Sequence, residues 1–107
     1  MKIDASTVKA VGKYLYRHLD GTTDIDISKG IEAQVWFEYI TNNGVIYDFR
    51  IDITTYSNKL RVNLFETSVN PVKPISHKVY DEKTFVDINN GMYKVLSDIE
   101  KIITKKY

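Results

Sequence analysis

Residues 31–41, 45–56 and 59–66 are three runs rich in β-branched and aromatic side chains, separated only by "NNG" and "YSN". Runs of this kind read as strands, and connections so short join only antiparallel neighbours. A three-stranded meander is therefore required, and the register of its first hairpin decides which side chains share a face. A two-residue loop, Asn43-Gly44, sets Tyr39 opposite Asp48, Phe37 opposite Arg50 and Val35 opposite Asp52. A three-residue loop, Asn42-Asn43-Gly44 with Gly44 left-handed, instead sets Tyr39 opposite Tyr47, Phe37 opposite Phe49, Val35 opposite Ile51 and Ala33 opposite Ile53. Opposed residues project from one face, and burying an unpaired Asp or Arg costs several kcal/mol. Turn types differ by much less, so the three-residue register is predicted.

The other face then carries Trp36 opposite Arg50, Glu38 opposite Asp48 and Ile40 opposite Ile46. The third strand turns Leu60, Val62 and Leu64 inward and Arg61, Asn63 and Phe65 outward. Phe65 falls beside Arg50 or Asp48, depending on the second turn.

Val8, Val11, Leu15 and Leu19 recur at three- and four-residue steps, which predicts an amphipathic helix from Ser6 to Leu19, with Asp20-Gly21 as a left-handed stop. "TTDIDISKG" alternates at Ile25 and Ile27 and fits either a short edge strand or an extended loop. "SVNPVKPI" contains both prolines and is predicted to be a loop, because proline cannot donate to a sheet ladder. "ISHKVY" is a candidate edge strand.

Phe85, Ile88, Met92, Val95, Leu96, Ile99, Ile102 and Ile103 hold helical spacing, and Thr84 with Asp87 resembles a capping box. Gly91 weakens that pattern, since an interior glycine costs about 1 kcal/mol against alanine; a later helix start is the alternative. The fold class is α+β: a two-layer sandwich in which an N-terminal and a long C-terminal helix cover one face of an antiparallel sheet of three to five strands, in the order α-β-β-β-(β)-α. Phe37, Phe49, Ile51, Val62, Ile99 and Ile102 are predicted to share one core.

At 107 residues the chain is expected to be a single globular domain, 1–107. Its net charge of +1 announces neither a nucleic-acid binder nor an acidic mimic of one. With no cysteine, a disulfide framework, a thiol nucleophile and a Cys-based zinc site are excluded. The first residues, "MKIDASTVKAVG", lack the apolar stretch and small-residue site of a leader, and no window approaches the roughly 18 apolar residues of a membrane span. A cytoplasmic protein is expected. Lysine outnumbers arginine 12 to 3, and Ile, Asn and Tyr are frequent, the bias of an AT-rich genome.

No glycine-rich phosphate loop, nucleophile motif or pair of histidines at ligand spacing is present, so a non-enzymatic protein without cofactor or metal is expected. His18 and His77 are expected at the surface. Glu38, Asp48 and Asp52 line the outer face as a weak candidate for a divalent cation. Trp36, Ile40, Ile46, Arg50 and Phe65 form the more suggestive feature, because Trp, Arg and Phe are the types enriched at interface hot spots. The competing readings are a Trp36–Arg50 cation–π pair that merely stabilises the sheet, and a further segment covering this face. The leading expectation is a protein-binding module, forming a homodimer or acting as an inhibitor or adaptor, of the compact kind found among phage and mobile-element accessory proteins, including inhibitors of host defence nucleases.

The alternative expectation is nucleic-acid binding. Lys9, Lys13 and Arg17 follow at four-residue steps on the first helix, and Lys105 and Lys106 add charge near the C-terminus. The order helix, three antiparallel strands, helix resembles the double-stranded-RNA-binding domain, which implies recognition of duplex shape and phosphates. The chain departs from that family at two motifs: "NNG" stands where its first strand loop carries Gly-Pro-x-His, and "DEKTFVD" where its second helix opens with a lysine cluster.

Overall fold

A computed structural model of the chain describes residues 2–107. The elements run α1 (Ala5–His18), β1 (Thr22–Asp26), β2 (Glu32–Ile40), β3 (Ile46–Tyr56), β4 (Lys59–Glu66), β5 (Lys73–Tyr80) and α2 (Ile88–Lys106). All five strands form one antiparallel sheet in chain order. The α+β arrangement is as expected, with both ambiguous segments resolved as edge strands. The sheet thus has two strands more than the three-stranded order compared with the RNA-binding domain.

The first hairpin adopts the three-residue register. Val35 pairs with Ile51, Phe37 with Phe49 and Tyr39 with Tyr47. Thr41 N–H donates to the Val45 carbonyl at 2.9 Å, Gly44 N–H donates to the Thr41 carbonyl at 2.9 Å, and Gly44 has φ +81°. This is a type I turn closed by a left-handed residue, where glycine avoids the Cβ penalty. The β3–β4 turn has two central residues, Ser57 and Asn58, both at positive φ. It sets Phe65 opposite Arg50, which resolves the open pairing.

The inner rows of β2, β3 and β4 close over Val8, Val11 and Leu15 of α1 and Val95, Leu96, Ile99 and Ile103 of α2 in one buried cluster. Ile102 lies only at its margin, and Ile103 takes the deeper position. Asp4 caps α1: its carboxylate accepts from the Ser6 and Thr7 amides, and its own amide donates to the Thr7 hydroxyl. The helix ends because Leu19 is extended, with φ −73° and ψ 138°; the expected stop at Gly21 lies beyond it, in the turn to β1.

Two further expectations are corrected. Pro74 lies inside β5, not in a loop: β5 is an edge strand, and the register shifts between Leu64 and Phe65 beside it, so the missing N–H is tolerated there. The cap of α2 is Asp87, not Thr84. Asp87 accepts from the Asn89 amide at 2.9 Å and the Asn90 amide at 3.4 Å, while Thr84 belongs to a turn whose amide donates to the Asp81 carbonyl. The later cap lets Phe85 fold back, fully buried, beneath the first turn of α2. Its ring lies where a side chain at Gly91 would project, with a Cβ there only 2.4 Å from a ring carbon. Gly91 is inside the helix because that close approach requires it.

Candidate protein interface on the outer sheet face

Alternation along β2, β3 and β4 sends Trp36, Arg50 and Phe65 to the face opposite the helices, where they form one continuous row. Asp24 of β1 and Pro74 of β5 extend it across the whole sheet. Ile40 and Ile46, 61% and 54% exposed, are opposed at the hairpin end of the same face. Glu38 and Asp48 stand between the isoleucines and the aromatic row. The five candidates therefore share a face but form two apolar groups with an acidic pair between them.

Arg50 does not stack on Trp36. Its guanidinium lies 4.9 Å from the centre of the Phe65 ring and forks onto Asp52, with Nε donating to Oδ1 at 2.8 Å and Nη2 to Oδ2 at 3.2 Å. Gln34 Nε2 donates to the same Asp52 at 3.1 Å. A bidentate pair holds the arginine in one orientation, so it is placed over Phe65 and largely neutralised. This commits Asp52, and among the described residues no group of three or more His, Cys, Asp or Glu is placed to hold a metal ion. A second cation–π pair, Arg61 over Tyr56 at 4.8 Å, stands at the other end of the face.

Neither helix covers this side, because the apolar stripes of both join the inner core. Trp36 and Phe65 remain partly exposed. Lys9, Lys13 and Arg17 are exposed on α1, and Lys105 and Lys106 on the last turn of α2. Arg17 and His18 occupy the last turn of α1, as Lys105 and Lys106 do in α2, where positive charge complements the helix dipole. His18, exposed, packs on Tyr14 with the rings tilted by 44° and their centres 4.4 Å apart, and His77, also exposed, is hydrogen-bonded to Asn63 on the outer face.

Three features were not anticipated. Asp98, only 7% exposed, accepts from the Tyr80 hydroxyl at 2.7 Å and the Lys94 ammonium at 2.9 Å. Burial opposes its charge, but those hydrogen bonds and the charges of Lys78 and Lys94 outweigh it and hold the carboxyl below its ordinary pKa. Tyr80 is pushed upward, by burial first and then by Asp98. The spacing of Lys94 and Asp98 signals an intrahelical pair, but nothing in it points to Tyr80.

Glu66 faces inward, 5% exposed, and accepts from the Tyr107 hydroxyl at 2.6 Å and the Ser68 hydroxyl at 3.0 Å. Tyr107 packs on Tyr47 and Phe49, and burial, then Glu66, pushes its pKa upward. The third feature is a cleft of about 370 Å³ where the α1–β1 turn meets residues 37–40 of β2 and the end of α2, with Leu19, Tyr39 and Ile103 in its walls and Glu38 and Glu100 in its lining. Three distant segments build it, so no local pattern could have shown it. No family model, curated protein or solved structure matches the chain.

Proposed function

We propose that this chain is a non-enzymatic protein-binding module, working as a homodimer or as an inhibitor or adaptor, that engages its partner through the outer face of the sheet. The observation that carries this reading is the Trp36–Arg50–Phe65 row on a face that neither helix covers, next to the exposed Ile40–Ile46 pair. Aromatic and arginine side chains held by their neighbours lose little freedom on association, which is what gives such residues weight in an interface. Asp52, itself held by Gln34, fixes Arg50 in advance.

The test compares tagged wild-type protein with a Trp36→Ala, Arg50→Glu variant as baits in lysate of the source cell, with and without nuclease. The variant is expected to remain within about 1 kcal/mol of wild-type stability, because both side chains are partly exposed and lie outside the core, and to lose the captured protein. Unfolding of the variant, or undiminished capture by it, would refute the assignment. Capture that disappears with nuclease and weakens steeply with salt would point to phosphate contacts through Lys9, Lys13 and Arg17.

A further inference from the structure

We infer that the occupant of the outer face is a second copy of this chain, packed face to face about a two-fold axis running along β3. The inference rests on the reading of this face as protein-binding and adds the partner. Its basis is the distribution of charge. Asp24 and Asp26 of β1 and Glu32 and Glu38 of β2 make one side of the face acidic, while Lys59 and Arg61 of β4 make the other side basic. Among the described residues, none of these six forms an ion pair within the chain.

A surface divided in this way is complementary to itself under only one kind of two-fold rotation. An axis in the plane between the sheets and parallel to the strands turns β1 and β2 of one copy over β5 and β4 of the other, so the acidic β2 meets the basic β4, while Asp24 and Asp26 lie over Pro74 and His77 of β5. An axis perpendicular to the strands lays β1 on β1 and acid on acid. In the favourable arrangement Trp36 comes over Phe65 of the second copy, and Glu32 comes within reach of Arg61 of the second copy. The twist of the sheets rotates them by about 30°, which shifts the outer rows by about one strand, within the span of these long side chains.

β3 lies on the axis, so its residues meet their own copies. Arg50 meets Arg50, but each is neutralised by its bidentate Asp52. Asp48 is the one like-charge encounter, and it is exposed near the hairpin end, where water screens it. Five strands about 4.8 Å apart, with about eight residues each at about 3.3 Å, offer about 600 Å² per copy. The total of about 1,200 Å² is at the lower limit for a specific complex. The self-association is therefore concentration-dependent, and its strength depends on the charge pairing.

Sedimentation equilibrium on the purified chain tests this directly, with Glu32→Arg, Arg61→Glu and the double charge swap measured beside wild type. Wild type is expected to dimerise. Each single reversal creates two like-charge encounters per dimer and should weaken association about tenfold or more, while the double swap restores the pairs and should return to within about threefold of wild type. Recovery in the double variant also shows that neither substitution acts by unfolding the chain. A monomer at about 1 mM, a dimer indifferent to both single reversals, or a double variant as weak as the singles would each overturn the second-copy assignment. The bait comparison reports separately on the face: loss of a captured partner by the Trp36, Arg50 variant, with a monomeric wild type, leaves the protein-binding reading standing and assigns the face to a different protein.

Discussion

Replacing Gly91 by alanine tests whether the start of α2 is built as described, because local propensity and packing predict opposite signs. Alanine in place of an interior helical glycine stabilises by about 1 kcal/mol. Here the new Cβ would sit 2.4, 2.6 and 2.7 Å from three ring carbons of Phe85, about 1 Å inside van der Waals contact. Phe85 is fully buried and packs edge-on against Tyr80 at 6.4 Å, so the ring has nowhere to withdraw. Overpacking of this kind costs about 1–3 kcal/mol, and expulsion of the ring would cost about 3–5 kcal/mol. An overlap with three ring atoms belongs near the top of the first range, so after the propensity gain the net loss is about 2 kcal/mol. Urea denaturation of wild type, Gly91→Ala, Phe85→Ala and the double variant reads this as midpoint shifts at constant slope. In the Phe85→Ala background all three overlapping ring atoms are gone, and Gly91→Ala should become neutral or stabilising. A rise in midpoint for Gly91→Ala alone, or the same fall in both backgrounds, would refute the packing argument.

Phe49→Ala should cost about 3–5 kcal/mol by denaturation, since its ring is buried between Phe37 and Tyr107; a loss under about 1 kcal/mol would contradict the register. Gly44→Val should destabilise the first hairpin through backbone strain alone, by about 1–3 kcal/mol, because no atom lies within 4 Å of a Cβ built there. Asp98 has a lower pKa folded than unfolded, so its contribution is present above the unfolded value of about 3.9 and is lost as pH falls through the folded value. Asp98→Asn should therefore lower stability at neutral pH and flatten its fall below about pH 4, and parallel acid limbs for variant and wild type would refute the assignment.

The strand register and the composition of both faces were legible because burial penalties are large compared with turn preferences. Tyr39, Phe37 and Val35 meet apolar partners in only one of the two registers. The edge elements were less legible for the opposite reason. β1 has a single inward isoleucine within the strand, Ile25, so its alternation is too short to separate strand from loop, and Pro74 is acceptable only where an edge and a register shift coincide. At α2, Thr84 and Asp87 both offer a capping side chain. The choice was made by Phe85, whose burial against Gly91 joins two residues that no local pattern connects.

The same contrast governs the outer face. Which residues lie there follows from alternation, but how they pair does not, because Arg50 has Trp36 on one side and Phe65 on the other at equal sequence cost. The decision comes from Asp52, two residues along the same strand, which holds the guanidinium as a fork; the guanidinium then stands over Phe65. A row whose polar member is satisfied internally makes little demand on the core beneath it. Side chains on this face can therefore change to suit a partner at small cost in stability, whereas Phe37 and Phe49 on the other side of the same strands cannot. Separation of the two roles across one sheet is what allows the bait and sedimentation variants to report on binding without reporting on folding.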